Sequence, residues 1–453
     1  MPTMTGGQAL VRQLKLEGLD TLFGLPGIQL DWAFDALWEE REHFRVFYTR
    51  HEQACAYMAD GYARATGRIG LCMVVPGPGL LNASAALSTA YACSSPVLCV
   101  TGQIHSEQIG KGRGMLHEID DQMGMIAHVT KWQGQALTPQ EIPGIVHRAV
   151  RELTTGRPRP VEIEIPPNIL EATGDVQLIE PDSRTRQAPD PDRIDEGARL
   201  LGGARSPVIF SGGGIISGGA WAELQQVAEM LEAPVVMTNN GRGALSDRHP
   251  LGLPMRAARE LAPDADAILV AGTRFVQGLM QRDVPPWLGE GVPIVQIDID
   301  PEEVGRNVAP AVGIVSDARL GLGALATALA KHNLKRPSRR EEMVDLKRYL
   351  EEDAARNQPQ AGFGLAIRAE LPDDGIYVQE STQVGYWSSQ GFPVYEPRTY
   401  FTSGYQGTLG FGFATALGVQ AGQPGRKVVS STATAASSTT SRSFRRWCSR
   451  RSR

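Results

Sequence analysis

Short apolar runs alternate with amphipathic segments along most of the chain. The apolar runs are the length of buried strands, and they lie at 71–75, 96–101, 161–165, 207–210, 267–272 and 293–300. Helical periodicity occupies the intervals between them, at 6–18, 52–66, 80–92 and 219–232. Strands that alternate with helices in this way predict an α/β fold with mainly parallel sheets.

Two polar segments interrupt the pattern. Residues 172–193 carry prolines without periodicity, and residues 331–360 are strongly charged and only partly helical in pattern. A chain of 453 residues is also too long for a single core. We therefore predict three domains, at 1–180, 190–335 and 360–430. The third is short for an α/β domain, which indicates that it is incomplete.

Composition and charge narrow the classes of partner. A hydrophobic content of 42% and a charged content of 21% are ordinary for a globular protein, and the formal net charge of −5 gives no reason to expect nucleic acid or an acidic membrane. The five cysteines are scattered, without zinc-site spacing, which predicts reduced thiols in a cytoplasmic protein. The amino-terminal residues lack the apolar run of a signal peptide or membrane anchor.

The stretch "TRHEQACAYMADGYARATGRIGLCMVVPGPGLLN", residues 49–82, offers the first candidate chemistry. Glu52 begins a predicted helix, where an acid can simply complement the helix dipole. The "PGPGLLN" segment (76–82) joins a strand to a helix, and such a turn can expose backbone amides to a ligand. Each feature is weak by itself, because acids and Pro-Gly turns are common at these positions.

Taken in order, the motifs are more specific. "FGLPG" (23–27), "RHEQ" (50–53), "DGYARATG" (60–67), "PGPGLLN" and "TGQ" (101–103) resemble the pyrimidine-binding domain of thiamine-diphosphate enzymes, above all acetolactate synthase and its carboligase and decarboxylase relatives. The resemblance continues through a central domain, of the dinucleotide-binding α/β type, to "GYQGTLGFGFATALG" (404–418). It spans essentially residues 5–430 and implies the thiamine-diphosphate-binding fold.

The resemblance also assigns roles to residues. Glu52 would bind the pyrimidine ring nitrogen and favour the imino tautomer, whose exocyclic nitrogen is the internal base. Leu409 would lie beneath the bend of the cofactor, and the Gly407 carbonyl would accept a hydrogen bond from its amino group. An isolated leucine is otherwise most often a core residue. The further cofactor contacts that the resemblance implies are Pro26, Gly27, Pro76, Gly79, Asn82, Gln103 and Thr408.

His117 is a second candidate catalytic residue. It lies in "GKGRGMLHEIDDQ" (110–122), where many acetolactate synthases carry Phe-Gln-Glu and this chain has Leu-His-Glu. An imidazole titrates near working pH and can act as a substrate-facing acid or base. A hydrogen-bonded surface histidine is the equally weighted alternative. This difference from Phe-Gln-Glu puts in doubt a specificity for condensing one pyruvate with another. It fits another carboligase, lyase or decarboxylase nearly as well.

The central domain carries "FSGGGIISGGAWAEL" (210–224), a strand, glycine turn and helix that could cradle a dinucleotide. Acetolactate synthases bind FAD in the corresponding domain, whereas many of their relatives leave it empty. The segment 270–275 lacks the fuller arginine and aspartate pattern that would favour FAD. We therefore expect that the domain does not bind FAD. Binding of FAD stays the alternative.

The chain changes character after Val429. The resemblance predicts Gly-Asp-Gly and a later asparagine there, which hold the Mg²⁺ that anchors the diphosphate, whereas residues 431–453 are rich in Ser, Thr, Ala and Arg. Read one base later, the codons of this segment permit the missing metal motif. We therefore predict an out-of-frame tail, no metal ligands, and no tight metal-dependent cofactor binding to the chain as written. A real basic tail is the alternative.

These features together predict a thiamine-diphosphate enzyme that decarboxylates a 2-oxo acid such as pyruvate and joins it to a second carbonyl. Another carboligase, lyase or decarboxylase on the same fold and a non-catalytic fragment are the alternatives. The resemblance implies a homodimer or homotetramer, since the two ends of the cofactor contact different chains in the family.

Overall fold

The computed structural model describes residues 2–183, 185–275 and 291–432, and these residues form two compact units. One unit contains the described residues within 1–184 together with Gln406–Gly425, and the other contains Thr185–Tyr405 with Arg426–Ser431. In the described ranges, no helix is both long enough and apolar enough to cross a membrane. Cys55, Cys72, Cys93 and Cys99 are free thiols, and Cys448 lies outside the described residues.

The amino-terminal part of the first unit alternates strands and helices. Its elements are β1 (Thr3–Thr5), α1 (Gly6–Leu16), β2 (Thr21–Gly24), α2 (Asp31–Glu39), β3 (Arg45–Tyr48), α3 (Glu52–Thr66), β4 (Gly70–Val74), α4 (Pro78–Ala92), β5 (Val97–Gly102), α5 (Gln122–Ile126), β6 (Trp132–Gln135), α6 (Ile142–Thr154), β7 (Val161–Ile165), α7 (Pro167–Glu171) and β8 (Thr173–Asp175).

The second unit continues the alternation. Its elements are α8 (Pro191–Gly203), β9 (Pro207–Ser211), α9 (Gly213–Gly218), α10 (Trp221–Leu231), β10 (Val235–Met237), β11 (Gly252–Pro254), α11 (Ala258–Leu261), β12 (Ala267–Ala271), β13 (Ile294–Asp298), β14 (Val312–Val315), α12 (Ala318–His332), α13 (Arg340–Ala355), α14 (Gln360–Glu370), β15 (Ile376–Gln379), α15 (Gln383–Gly391) and β16 (Tyr400–Phe401). The chain then returns to the first unit with α16 (Phe411–Gly422) and to the second with β17 (Val428–Ser431).

Three parallel sheets organise the described residues. The first unit has the order β3-β2-β4-β5-β7-β6, and the second has β11-β10-β9-β12-β13-β14 and the smaller β16-β15-β17. The pairing of β1 with β8 is antiparallel. The predicted α/β fold with mainly parallel sheets is therefore confirmed.

Local sequence explains where the helices near the site begin and end. Thr5 and Gln8 form a capping box at the start of α1, and the His51 side chain accepts a hydrogen bond at the start of α3. Pro78 occupies the first turn of α4, where its missing N–H is no loss. These caps fix α3 and α4 directly after β3 and β4.

The main sheet of the first unit has two different faces. One face packs aliphatic side chains, such as Leu98, Val100 and Ile163, into the core beneath α1 and α6. The opposite face, which α3 and α4 cover, carries polar and sulfur-bearing side chains that include Cys72, Thr101, Glu162 and Glu164. The candidate site lies at the carboxyl ends of these strands, where open parallel sheets bind ligands.

Candidate functional site at the carboxyl edge of the first sheet

Glu52 begins α3 and faces the neighbouring helix. Its Oε2 accepts a hydrogen bond of 3.0 Å from the Nδ2 of Asn82, which lies in the second turn of α4. The His51 side chain caps the helix through its Nδ1, which accepts from the Gln53 amide at 3.2 Å. The helix therefore presents a carboxylate that is oriented by an amide from a second element.

The turn between β4 and α4 lies beside this carboxylate. Gly77 has a φ of +55°, and a Cβ at that position would lie 2.3 Å from the carbonyl oxygen of His117. Because a side chain is disfavoured both by this backbone conformation and by that contact, glycine is required. The Gly77 amide donates to Oε1 of Gln122 at 2.9 Å, so the turn is tied to α5.

Two predicted glycines pack directly against the Val75 side chain. A Cβ on Gly27 would lie 2.4 Å from Cγ1 of Val75, and a Cβ on Gly79 would lie 2.7 Å from Cγ2 of the same residue and 3.6 Å from Cγ of Glu52. Pro26 is exposed just before Gly27, and Pro76 follows Val75. The structure thus brings the glycines together with Glu52 at one edge of the sheet.

Gln103 occupies a different environment from these residues. Its Nε2 donates to Oε1 of Glu164 at 3.2 Å, and its Oε1 accepts from the Ile104 amide at 2.8 Å. Glu164 also accepts from Gln122, at 2.6 Å, and from Gln135. Burial raises the pKa of Glu164, although these three amide hydrogen bonds oppose the rise. Gln103 is therefore linked to the Gly77 turn through Glu164 and Gln122.

A cavity of about 120 Å³ opens beside this polar cluster. Its lining includes Gln103, Gln122, Gln135 and Glu164, with Asp120 and Asp121 on the adjoining loop. Gln122 also donates to the carbonyl of Gly102 at 3.1 Å. The cluster therefore supports both the end of β5 and the Gly77 turn.

His117 lies against the same turn. It is half-buried, has a φ of +70°, and its Nδ1 is buried without a hydrogen-bond partner in the described part of the chain. A cavity of about 310 Å³ lies along the same loop, and its lining includes glycines 110, 112 and 114 with Glu118 and Asp120. Hydrogen bonds from loop amides, first that of Met115, lower the pKa of Glu118 and keep it anionic. The lining of this cavity therefore carries two carboxyl groups, those of Glu118 and Asp120.

Gly407, Thr408 and Leu409 form a turn before α16 in the same unit. Thr408 is half-buried and its Oγ1 lies 2.7 Å from the hydroxyl oxygens of both Tyr57 and Thr89. Gly407 is exposed, and the Leu409 side chain is 64% exposed. Leu409 is therefore not a core leucine in this structure.

Helix α16 packs closely on α3. A Cβ on Gly61 would lie 2.2 Å from the carbonyl oxygen of Thr415, and one on Gly418 would lie 1.9 Å from that of Met58. The rings of Tyr57 and Phe411 meet edge to face with centroids 5.7 Å apart. The helix that begins with Glu52 thus forms a direct contact with the helix that follows Leu409.

In the ranges that the structure describes, no group of three His, Cys, Asp or Glu side chains could hold a metal ion. The segment in which the sequence analysis sought a metal motif lies largely in 433–453, outside the described residues. The glycine turn after β9 serves close packing, because a Cβ on Gly214 would lie 2.7 Å from the Cα of Gly272.

Several residues of the site were not found by the sequence analysis. No motif or periodicity in the sequence marks Gln122, Tyr57 or Thr89. Their contacts join elements that are distant along the chain. Glu162 and Glu164 did leave a signal, since two acids alternate with apolar residues inside a strand whose residues are all buried. An acid at such a position indicates a buried hydrogen-bond network.

Three models of one family match the chain. These are the N-terminal TPP binding domain, the central domain and the C-terminal TPP binding domain of the thiamine pyrophosphate enzymes, at residues 4–125, 194–325 and 380–435. Thiamine pyrophosphate (TPP) is another name for thiamine diphosphate. The matched segments cover most of the chain and contain both the Glu52 corner and the Gly407 turn.

Characterised and inferred enzymes show the same relationship. The chain is 34% identical to a probable acetolactate synthase large subunit of Methanocaldococcus jannaschii, over 95% of this chain and 75% of that protein. It is 34% identical to a probable 2-ketoarginine decarboxylase of Pseudomonas aeruginosa, over 94% and 76%. It is 30% identical to the large subunit of acetolactate synthase isozyme 1 of Escherichia coli, over 94% and 76%.

The chain belongs to the thiamine pyrophosphate enzyme family. Within that family it is of the acetolactate synthase type, as the similarity to acetolactate synthase large subunits over most of its length shows. The predicted family and the prediction that the protein is an enzyme are therefore confirmed.

Proposed function

We propose that the protein uses thiamine diphosphate to decarboxylate a 2-oxo acid such as pyruvate and to join the product to a second carbonyl. The observation that carries this proposal is the corner at the carboxyl ends of β2 and β4. There Glu52, oriented by Asn82, adjoins Gly79, and Gly27 and Gly79 both pack against Val75. A carboxylate that a neighbouring amide orients, at the carboxyl edge of a parallel sheet, suits a ring that carries a hydrogen-bonding nitrogen.

The residues present suit the cofactor in two further respects. When bound, thiamine diphosphate supplies the carbanion that attacks the 2-oxo acid. Glu52 would hold a proton at the ring nitrogen through a charge-assisted hydrogen bond. The exposed Leu409 would support the bend of the cofactor from below, and the backbone of Gly407 would accept a hydrogen bond from its amino group. Mg²⁺ would bind the diphosphate, as family members require.

His117 would be the acid or base that faces the substrate. Its carbonyl borders the Gly77 turn, and its Nδ1 is enclosed without a partner among the described residues. A group in this position can hold or release a proton at the reacting carbonyl. Pro26, Pro76 and Thr408 would complete the surroundings of the cofactor, with Gln103 acting through its hydrogen bond to Glu164.

A second candidate is a decarboxylase that acts on a 2-oxo acid with a cationic side chain. Glu118 and Asp120 line the cavity beside His117, and an acidic lining favours a guanidinium or ammonium group. One of the similar proteins is named a probable 2-ketoarginine decarboxylase. The Leu-His-Glu triplet at 116–118 also departs from that of many acetolactate synthases.

A substrate comparison separates the two candidates. A version with the reading frame restored at codon 432 is incubated with thiamine diphosphate and Mg²⁺ and given pyruvate alone, pyruvate with an aldehyde, or 2-oxo-5-guanidinovalerate. The first proposal predicts carbon dioxide and acetolactate from pyruvate. Turnover of the guanidino acid without condensation of pyruvate would support the second candidate, and no turnover of any 2-oxo acid would refute both.

We also propose that the unusual segment after Val429 weakens cofactor anchoring in the chain as written. DNA sequencing across codons 428–445 tests this, because an intact frame without a lost base would contradict it. Calorimetry with thiamine diphosphate and Mg²⁺ gives an independent result. Submicromolar binding to the unrepaired chain would show that the proposed weakening is wrong.

A further inference from the structure

A chain of three hydroxyl groups connects the Gly407–Leu409 turn to α3 and α4. Tyr57, which is fully buried, donates from its hydroxyl to Oγ1 of Thr408 at 2.7 Å. The Oγ1 of Thr408 lies 2.7 Å from that of Thr89, which is also fully buried. Thr89 donates in turn to the carbonyl oxygen of Ala85 at 3.2 Å, within α4.

The three hydroxyl groups form one connected set of hydrogen bonds. Each hydroxyl has a single proton and can also accept. Tyr57 donates to Thr408, and either hydroxyl can be the donor between Thr408 and Thr89. Burial raises the pKa of Tyr57, which keeps its hydroxyl protonated and able to donate. The hydroxyl groups therefore connect α3, the turn and α4 in one hydrogen-bonded chain.

Thr408 is the side chain that anchors the turn. Its neighbours Gln406, Gly407 and Leu409 are exposed, whereas Thr408 is half-buried beneath the two helices. The turn also contains two residues with positive φ, Gly407 at +58° and Gly410 at +83°, so its backbone has few conformational restraints of its own. The hydroxyl contacts of Thr408 therefore restrain the turn against α3 and α4.

We infer that Tyr57 and Thr89 are positioning residues that hold the turn carrying Gly407 and Leu409 against α3 and α4. Tyr57 lies on the helix that begins with Glu52, and Thr89 lies two turns beyond Asn82 on α4. The functional meaning of this positioning rests on the proposed function. The restraint itself does not require a cofactor and can be measured without one.

Hydrogen–deuterium exchange of the full chain, without added cofactor, tests the restraint. Tyr57→Phe and Thr89→Val each remove one hydroxyl and are expected to speed exchange of the amides at 407–411 by about three- to tenfold, the effect of losing one buried hydrogen bond. Thr89→Ser keeps the hydroxyl and is expected to restore slow exchange. Tyr62→Phe is the matched control. Tyr62 is a buried residue of the same helix, and its hydroxyl donates to Asp20 rather than to the turn.

The outcomes are distinct. Unchanged exchange at 407–411 in both Tyr57→Phe and Thr89→Val, or equal acceleration in Tyr62→Phe, would overturn the inference. Thr89→Val and Thr89→Ser form a pair of nearly equal size, so they decide the question even if Tyr57→Phe does not fold.

Titration of the frame-restored protein with thiamine diphosphate and Mg²⁺ links the restraint to binding. Thr89→Val is expected to weaken cofactor binding severalfold, and Thr89→Ser is expected to restore it. The binding comparison is made between variants that have the same midpoint of urea unfolding. If wild type binds and Thr89→Val binds equally well, the positioning role is refuted. If no protein binds the cofactor while exchange responds as expected, the restraint stands and the proposed function of this chain fails.

Discussion

Glu162 and Glu164 project to the same face of β7 because strand side chains alternate in direction. Glu164 is satisfied by three glutamine amides, and one of these, Gln122, also holds the Gly77 turn. Glu162, two residues earlier in the same strand, is fully buried. Burial, and then the negative charge of Glu164, raise the pKa of Glu162 well above its usual range.

This raised pKa predicts how stability changes with pH. In the unfolded chain a glutamate loses its proton near pH 4.3, at about its ordinary pKa. Between that value and the raised pKa, the folded protein retains a proton that the unfolded chain has lost. The free energy of unfolding therefore falls as pH rises through this interval and stays lower above it.

Glu162→Gln is expected to remove part of this fall in the free energy of unfolding. Glutamine has nearly the same shape and no proton to lose, so the variant should be more stable than wild type at about pH 8 and lose less stability between about pH 5 and pH 8. Urea unfolding across this range measures both effects, with Glu171→Gln as an exposed control that follows wild type. A variant less stable than wild type at every pH would show that Glu162 makes a needed hydrogen bond instead.

Sequence alone predicted the local features of the site better than its long-range contacts. Glu52 and Asn82 lie in two motifs that the sequence analysis named, one after β3 and one after β4, and the structure pairs them although β2 separates these strands. The role of Gln122 was not predicted, because its three partners come from β5, β7 and the Gly77 turn. No periodicity or spacing encodes a contact that only the folded sheet creates.

At the scale of elements, the contact between α3 and α16 depends on glycines. Met58 and Thr415 contribute backbone carbonyls that lie where Cβ atoms of Gly418 and Gly61 would be. A helix carbonyl cannot rotate away without breaking its own hydrogen bond, so any added methyl group forces the helices apart. The two glycines therefore set the distance between the helices.

Gly418→Ala is accordingly expected to destabilise the protein by about 1–3 kcal/mol, the usual effect of overpacking a close contact. Gly425→Ala is the matched control, since no atom lies within 4 Å of a Cβ at that position. Denaturant unfolding measures both variants. Equal stability of Gly418→Ala and wild type would mean that the close approach of α3 and α16 is absent in solution.

The predicted elements agree best with the structure where the pattern is strongest. Strand 161–165 and helix 52–66 have the predicted bounds, because continuous burial and a clear helix start define them. The segment 172–193 was predicted as a linker, yet Thr173–Asp175 forms a strand that pairs with β1. Its pairing partner lies about 170 residues away in the chain, so local sequence gave no indication of it.

At the scale of the whole molecule, each compact unit has its own parallel sheet and core. The family matches extend across both units. Two or four copies of the chain are expected to associate, as the resemblance implied. Exposed apolar side chains of the first unit, such as Ile28, Trp38 and Tyr48, are candidates for the surface that a second copy covers.

Light scattering after size-exclusion chromatography measures this association. The expected molar mass is that of two or four chains at micromolar concentration. Trp38→Glu, which places a charge on one of these exposed side chains, is expected to lower the measured mass, whereas Glu171→Gln is not. A monomer at all concentrations would contradict the proposed assembly.

The most direct test of the account concerns Glu52. Turnover of the 2-oxo acid substrate is measured in the frame-restored protein for wild type, Glu52→Gln and the exposed control Glu171→Gln, each saturated with thiamine diphosphate and Mg²⁺. If Glu52 holds a proton at the ring nitrogen of the cofactor, Glu52→Gln should lower kcat by about a hundredfold or more while Glu171→Gln matches wild type. A Glu52→Gln variant with unchanged kcat would contradict the proposed role of this carboxylate and the mechanism built on it.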